Sequence, residues 1–153
     1  MPVEKVKKYL ARWGRDKDVI ESSRSTATVA EAAAALGVEE ARIAKSISLR
    51  GKEAVFVVVC AGTVKIDNRK YKDTFGVKAK MLSPAEAFEK TGYMVGGICP
   101  FALPPGVKVY LDESLRRFST VFPACGSANS AIELHCDELA EYSASEKWVD
   151  VCA

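Results

Sequence analysis

The sequence predicts an α+β domain: a mixed, curved central sheet with short flanking helices. Three observations carry that reading. Residues 54–61 form a continuous apolar run of the kind a sheet buries on both faces, joined through Gly51-Lys52 to an alternating segment that ends at Arg50. Capping signals at Thr28 and Ser83, each with a glycine closing the stretch that follows, mark short helices between strands. No repeat, linker or low-complexity tract divides the chain, so residues 1–153 are expected to form one domain.

Taken in order, residues 2–13 place Val3, Val6, Tyr9 or Leu10, and Trp13 at helical spacing, with Lys5, Lys7, Lys8 and Arg12 opposite. Gly14 stops that helix. The polar stretch 15–24 holds one apolar pair, Val19-Ile20, as a short candidate strand. Thr28-Val-Ala-Glu31 reads as a capping box, in which the hydroxyl takes the Glu31 amide while the carboxylate reaches back; its helix runs to Leu36 and ends at Gly37. After the strand pair, Asp67 or Asn68 caps a basic helix that runs to Phe75 and closes at Gly76. Ser83-Pro84-Ala85-Glu86 is a second capping box, with proline in the first turn and Gly92 at the end. Gly96-Gly97, followed by Pro100, is incompatible with regular helix: it is either a turn between strands or a place where backbone approaches a ligand. Strands are expected at 108–112, 119–125, 131–136 and 147–152, with Asp137 capping a helix over 138–142.

One side chain stands against its surroundings. With a side-chain period of two, Ile43, Lys45, Ile47 and Leu49 share one face of their strand, and Ala44, Ser46, Ser48 and Arg50 share the other. Lys45 therefore falls on the apolar side. An ammonium there is costly unless it is paired, reaches water, or faces an anionic ligand. Two readings fit: an inward lysine that protects a strand edge or reaches water along its stem, and a lysine that contacts a ligand.

The net charge of +2 hides an asymmetry: residues 1–80 carry 17 Lys/Arg against 10 Asp/Glu, and residues 81–153 carry 5 against 10. One basic surface is expected, and such surfaces meet phosphate. Residues 65–80 concentrate six positive side chains against two negative ones. Their helix would present Arg69, Lys70 and Lys72 outward, the best candidates for contacts to a nucleic-acid backbone.

The five cysteines are odd in number and contain no Cys-x-x-Cys, as befits reduced structural thiols. Cys125, His135 and Cys136 are spaced unlike common zinc sites, so neither metal nor cofactor is expected. Without a signal-peptide core near the N-terminus, or an apolar run of about 18 residues, the expectation is a soluble cytoplasmic protein with no membrane partner. Gly-x-Ser-x-Gly, Walker and dinucleotide motifs are absent. The single histidine, His135, lies between Leu134 and Cys136 in an expected strand, a poor place for a triad base. Catalysis by such a chain would rest on positioning and backbone donors, with water or the substrate's own groups moving the proton.

Several segments together carry a resemblance. Ile43-Ala44-Lys45-Ser46 follows a Thr-Val-Ala-Glu-Ala-Ala helix; then come Thr91-Gly-Tyr-x-x-Gly96-Gly97-Ile98-Cys99-Pro100-Phe101, Leu111-Asp112-Glu-Ser-Leu and Gly126-Ser-Ala-Asn-Ser. In this order, over roughly residues 25–151, the chain resembles the YbaK/ProX family of aminoacyl-tRNA editing deacylases. The resemblance implies a small domain, free-standing or inserted in prolyl-tRNA synthetases, that hydrolyses the ester joining a wrong amino acid to tRNA. It implies that Lys45 contacts the 3′-terminal adenosine or phosphate and orients the ester, and that Gly96 and Gly97 line the aminoacyl pocket with amides toward the carbonyl. It further implies substrate contacts from Ser46, Ile98, Pro100, Gly126, Ser127 and Asn129. The implied partners are an aminoacyl-tRNA, tRNA(Pro) first among them, and prolyl-tRNA synthetase, with no DNA. The implied cargo is a small amino acid of the alanine, cysteine, serine or threonine class, removed by water or by substrate-assisted attack. His135 does not match the histidine some members use. The same features would also suit a non-catalytic module that binds tRNA or a synthetase.

Overall fold

The computed structural model describes residues 2–153, and its helices begin and end where local chemistry dictates. Helix α1 (Pro2–Leu10) buries Val3, Val6 and Leu10 and passes through a 3-10 turn, Ala11–Trp13, to Gly14 at φ 70°. Helix α2 (Val29–Leu36) is capped by Thr28, whose hydroxyl accepts from the Glu31 N–H, and ends at Gly37 in the left-handed region. The box expected there is half made: the Glu31 carboxylate takes the Thr28 hydroxyl at 3.2 Å rather than the Thr28 N–H. Helix α3 (Asn68–Phe75) is capped by Asp67. Helix α4 (Pro84–Thr91) has the full box, with the Ser83 and Glu86 N–H groups each donating to the other residue's side chain.

The strands are β1 (Ile20–Glu21), β2 (Ile43–Arg50), β3 (Val55–Ala61), β4 (Lys108–Asp112), β5 (Thr120–Pro123), β6 (Ser130–Ala131), β7 (Leu134–His135) and β8 (Lys147–Val149). Six of them form a mixed sheet in the order β7-β5-β2-β3-β4-β8, while β1 and β6 pair separately. The β2/β3 hairpin is antiparallel, with Lys45 opposite Cys60; β5 and β4 flank it in parallel. The fold is thus α+β with a curled mixed sheet, as expected.

Three expected elements are redrawn by tertiary pairing. The strand at 131–136 divides because Ala131 pairs with Ile20 whereas Leu134 pairs with Val121, so the chain changes sheets between them. Helix α5 (Cys136–Tyr142) starts earlier than Asp137 would set, because the Glu138 carboxylate accepts the His135 N–H at 2.9 Å and makes His135 the cap. The final strand ends at Val149; beyond it the Val151 N–H donates to the Asp112 carboxylate, and Cys152 bridges Ile66.

The central strands are buried on both faces. Val57, Val59 and Leu111 pack with α1 and α5, whereas Phe56, Val58 and Cys60 pack with Tyr71 and Phe75 of α3. A third, smaller cluster joins Ile43 and Phe122 to Ala32 and Ala33 of α2. Ile43, Ile47 and Leu49 consequently do not make one stripe: the last two join the α3 side and the first joins α2. Lys45 falls in the gap between the clusters. Among the described residues no helix is long and apolar enough to cross a membrane, and no three His, Cys, Asp or Glu side chains are placed to hold a metal ion.

Candidate functional site

The gap beside Lys45 is a break in the sheet. Strand β2 pairs with β5 only through Ile43 and Ala44, and meets its next neighbour at Leu49, which bridges Met81. Farther along, the Leu82 N–H donates to the Ser48 carbonyl and the Arg50 N–H to the Lys80 carbonyl. By the two-residue repeat of a strand, Ser46 turns its main-chain groups to the same side, where no strand is paired with it.

A recess of about 290 Å³ fills this break. Ala32 and Leu36 of α2, together with Ile43, Phe122 and Ala131, supply apolar lining; Thr26, Lys45 and Ser46 bring the polar atoms that matter. Its size lies near the lower end of ligand pockets, roughly 300 Å³, which suits an amino acid and its ester better than a large cofactor.

Among the described residues, Lys45 is the one charged side chain lining the recess. It is half-buried, and its polar partner among the described residues is a main-chain oxygen, the Gly62 carbonyl at 3.3 Å. Gly62 itself packs tightly: a Cβ there would lie 2.3 Å from the Glu40 carbonyl oxygen and 2.7 Å from Val29 Cγ1. An ammonium has three donors, so the amine retains capacity for a ligand. Two hydroxyls add to the demand, since Thr26 Oγ1 and Ser46 Oγ are buried without a hydrogen-bond partner. Buried polar atoms in folded proteins are normally paired, so these two hydroxyls on residues of the recess are exceptions.

Two loops wall the mouth. Gly96, at φ 97°, lines the recess with Val95 and Ile98; Gly97 stands behind it. The Gly97 N–H donates to the Met94 carbonyl at 2.9 Å, so that amide is engaged within the turn rather than offered to a substrate carbonyl. A Cβ on Gly97 would come within 2.8 Å of the Gly126 carbonyl oxygen, so the two loops touch through bare backbone. The loop at 126–130 holds a third segment in place: the Thr26 N–H donates to the Ala128 carbonyl at 2.6 Å and the Ser22 N–H to the Asn129 carbonyl at 2.7 Å. Asn129 Nδ2 donates back to the Ser22 carbonyl, and Ser127 Oγ bonds Asn129 Oδ1 and Ser130 Oγ.

Of the residues singled out in the sequence, Lys45, Ser46, Gly96 and Ile98 line the recess. Gly97, Gly126, Ser127 and Asn129 stand one layer back, and Pro100 is buried away from the lining. The basic helix is apart from it: Arg69 and Lys72 are exposed, whereas Lys70 pairs with Asp150 at 3.1 Å and bonds the Cys152 carbonyl. The sequence reading missed Thr26, Ala32, Leu36 and Phe122. Thr26 belongs to an irregular segment with no periodicity, and the other three read as ordinary core.

Among the described residues no carboxylate, imidazole or thiol lines the recess. His135 is exposed, with Nδ1 3.1 Å from the Ser119 carbonyl oxygen. Behind the glycine loop, burial pushes the Cys99 thiol up to about 12 and raises Cys125 as well, so both stay neutral. Burial likewise raises the Tyr93 phenol, which donates to the Phe101 carbonyl at 2.5 Å. This arrangement can hold a small polar group against an ammonium and two hydroxyls while excluding bulk from an apolar floor.

Comparison with known proteins identifies the family. Residues 23–142 match the family model of the aminoacyl-tRNA editing domain. The chain is 54% identical to YwhH of Bacillus subtilis, a protein without an assigned function, over 99% of this chain and 98% of that one. It is 30% identical to EbsC of Enterococcus faecalis, named as a candidate Cys-tRNA(Pro)/Cys-tRNA(Cys) deacylase, over 84% of this chain and 74% of that one. Among solved structures, a candidate trans-editing enzyme for prolyl-tRNA synthetase superposes with a TM-score of 0.89 at 27% identity, covering 99% of this chain and 97% of that one.

Proposed function

The chain belongs to the aminoacyl-tRNA editing domain family, and from that membership and the recess beside β2 we infer that it hydrolyses the ester of a mischarged small amino acid, acting in trans. The observation that carries this reading is Lys45: an ammonium with only a carbonyl partner, at the edge of a recess that also holds two unpartnered hydroxyls. Such a set suits the polyanionic end of a tRNA together with its aminoacyl ester. The names of EbsC and of the trans-editing neighbour support tRNA(Pro) as the substrate and prolyl-tRNA synthetase as the enzyme whose errors are removed. The residues form a single domain across the whole chain in this reading.

In the proposed reaction Lys45 orients the terminal nucleotide, and Thr26 and Ser46 hydrogen-bond the aminoacyl group. The apolar floor restricts the cargo to the alanine, cysteine, serine or threonine class. A small pocket of this kind acts as a second sieve, since one methylene offers a synthetase only about 1–3 kcal/mol of discrimination. An oxygen of water, or a nucleophile of the substrate itself, adds to the ester carbonyl; the bond to the ribose oxygen breaks, and that oxygen takes up the proton. Gly96 allows close approach, while Gly97, Gly126, Ser127 and Asn129 hold the walls in register. Arg69 and Lys72 lie free to meet the RNA backbone farther from the ester, with Lys70 contributing if its pair with Asp150 opens.

The absence of a general base among the lining residues favours one other reading, a binding module for tRNA or a synthetase that does not hydrolyse. Incubation with tRNA(Pro) charged with alanine, cysteine, serine or threonine separates the two. Ester loss well above that of Lys45→Ala supports the deacylase; salt-sensitive tRNA binding with no ester loss overturns it in favour of the module.

A further inference from the structure

Among the described residues, four of the five exposed large apolar side chains line either the recess or a groove beside it. Phe88 is 54% exposed, Met94 71%, Val95 62% and Met81 67%. Phe88, Met94 and Val95, with Pro84 and Ala85, line a shallow groove of about 350 Å³. Val95 lines both this groove and the recess, so the two lie side by side. Pro84 and Phe88 are four residues apart on α4, which sets them on one face of the helix.

The groove has a charged end. Arg50 pairs with Glu86 in the first turn of α4, and its N–H donates to the carbonyl of Lys80, which is itself exposed. Arg50 and Lys80 both act on the Glu86 carboxyl, so both cations lie near the start of the helix. A groove lined by five residues is far smaller than a standard protein interface, which engages roughly 20–30 residues a side. It matches a single planar base, with cations beside it for phosphate.

We propose that this groove seats the adenine of the tRNA's terminal nucleotide, stacked on the Phe88 ring between Met94 and Val95, while the ester on the same nucleotide enters the recess. The proposal rests on the deacylase reading and gives it a second point of attachment. Stacking tolerates any base, so the groove contributes affinity rather than sequence readout. Lys45 and the groove then grip the same nucleotide from two sides, and the base fixes how deep the ester can reach.

The test is single-turnover hydrolysis of an aminoacylated acceptor-stem RNA, charged in turn with alanine, serine and cysteine, with the protein titrated to saturation. The RNA is used with its terminal adenine and with that base removed. Phe88→Ala is expected to raise the half-saturating protein concentration about tenfold on the intact RNA, in line with the loss of one base–aromatic stack. It should have no effect on the abasic RNA, and Phe88→Trp should restore the wild-type value. Equal half-saturation for wild type and Phe88→Ala overturns the proposal while the deacylase reading stands. Failure of the wild type to hydrolyse any of the esters overturns both.

Discussion

Gly97 and Gly126 meet backbone to backbone: a single methyl group on Gly97 would lie 2.8 Å from the Gly126 carbonyl oxygen and 2.9 Å from its carbon. That contact joins the loop bearing Gly96 to the loop that holds Thr26, so one wall of the recess is braced by the other. Gly97→Ala forces the loops apart and is expected to destabilise the fold by about 1–3 kcal/mol, the range of overpacking. Urea unfolding measures the loss, and deacylation by the folded fraction should fall with it. An unchanged denaturation midpoint would show that the loops are free to separate.

Lys45→Ala should reduce deacylation by about 10²–10³-fold, the scale on which a preorganised electrostatic contact to the reacting group acts. Stability should hardly change, because the amine gives up only its bond to the Gly62 carbonyl. Parallel urea melts and deacylation assays check both halves of this expectation. Lys45→Arg should recover little, since its planar fork is longer and directs its donors differently.

Thr26→Val replaces the orphaned hydroxyl with a methyl group of like shape. Removal of a buried polar atom without a partner should stabilise the free protein by about 1 kcal/mol. If the hydroxyl serves the substrate, the same change lowers kcat/KM about two- to tenfold, the value of one hydrogen bond. A thermal melt beside a deacylation assay reads the opposite signs; a variant equal to wild type in activity would remove Thr26 from the site.

His135→Ala should leave deacylation near the wild-type rate, rather than produce the roughly 10²–10⁴-fold loss that follows removal of a general base. The imidazole is exposed at the start of α5 and is not among the residues that line the recess. The pH–rate profiles of wild type and His135→Ala should therefore superpose. A bell lost in the variant would restore histidine to the mechanism.

Glu86 supplies a pH-dependent element of stability. Hydrogen bonds from the Ser83 N–H and hydroxyl, then the charges of Arg50 and Lys80, hold its carboxyl below its ordinary value of 4.5. A carboxyl depressed in the folded state stabilises above that ordinary value, and the contribution disappears as pH falls through the lowered one. Wild type should therefore exceed Glu86→Gln in urea midpoint at neutral pH, and the difference should close in acid. A constant difference across that range would show that the ionised cap contributes nothing.

Much of this architecture was legible in the chain because its signals are local. The Ser83-Pro84-Ala85-Glu86 box, the Asp67 cap and the glycines after α2, α3 and α4 set helix limits through contacts within one turn. Residues 54–61 announced a doubly buried strand through composition alone. The placement of Lys45 among Ile43, Ile47 and Leu49 was visible as a mismatch of charge and periodicity. The sequence could not reveal that Ile43 leaves that stripe for α2 while Leu49 joins α3, since this depends on how the sheet curls.

Local chemistry in the sequence by itself determined the α+β class, most helix boundaries, the hairpin and the anomalous lysine. Tertiary structure alone decided that β2 would be left without a partner on its β5 side between Ala44 and Ser48, that Thr26 would be carried into the gap by the Ala128 carbonyl, and that Lys70 would be drawn to Asp150. The physical reason is range. Caps and side-chain periodicity act within a few residues, whereas a recess is the space left when segments far apart in the chain pair with some neighbours and not with others.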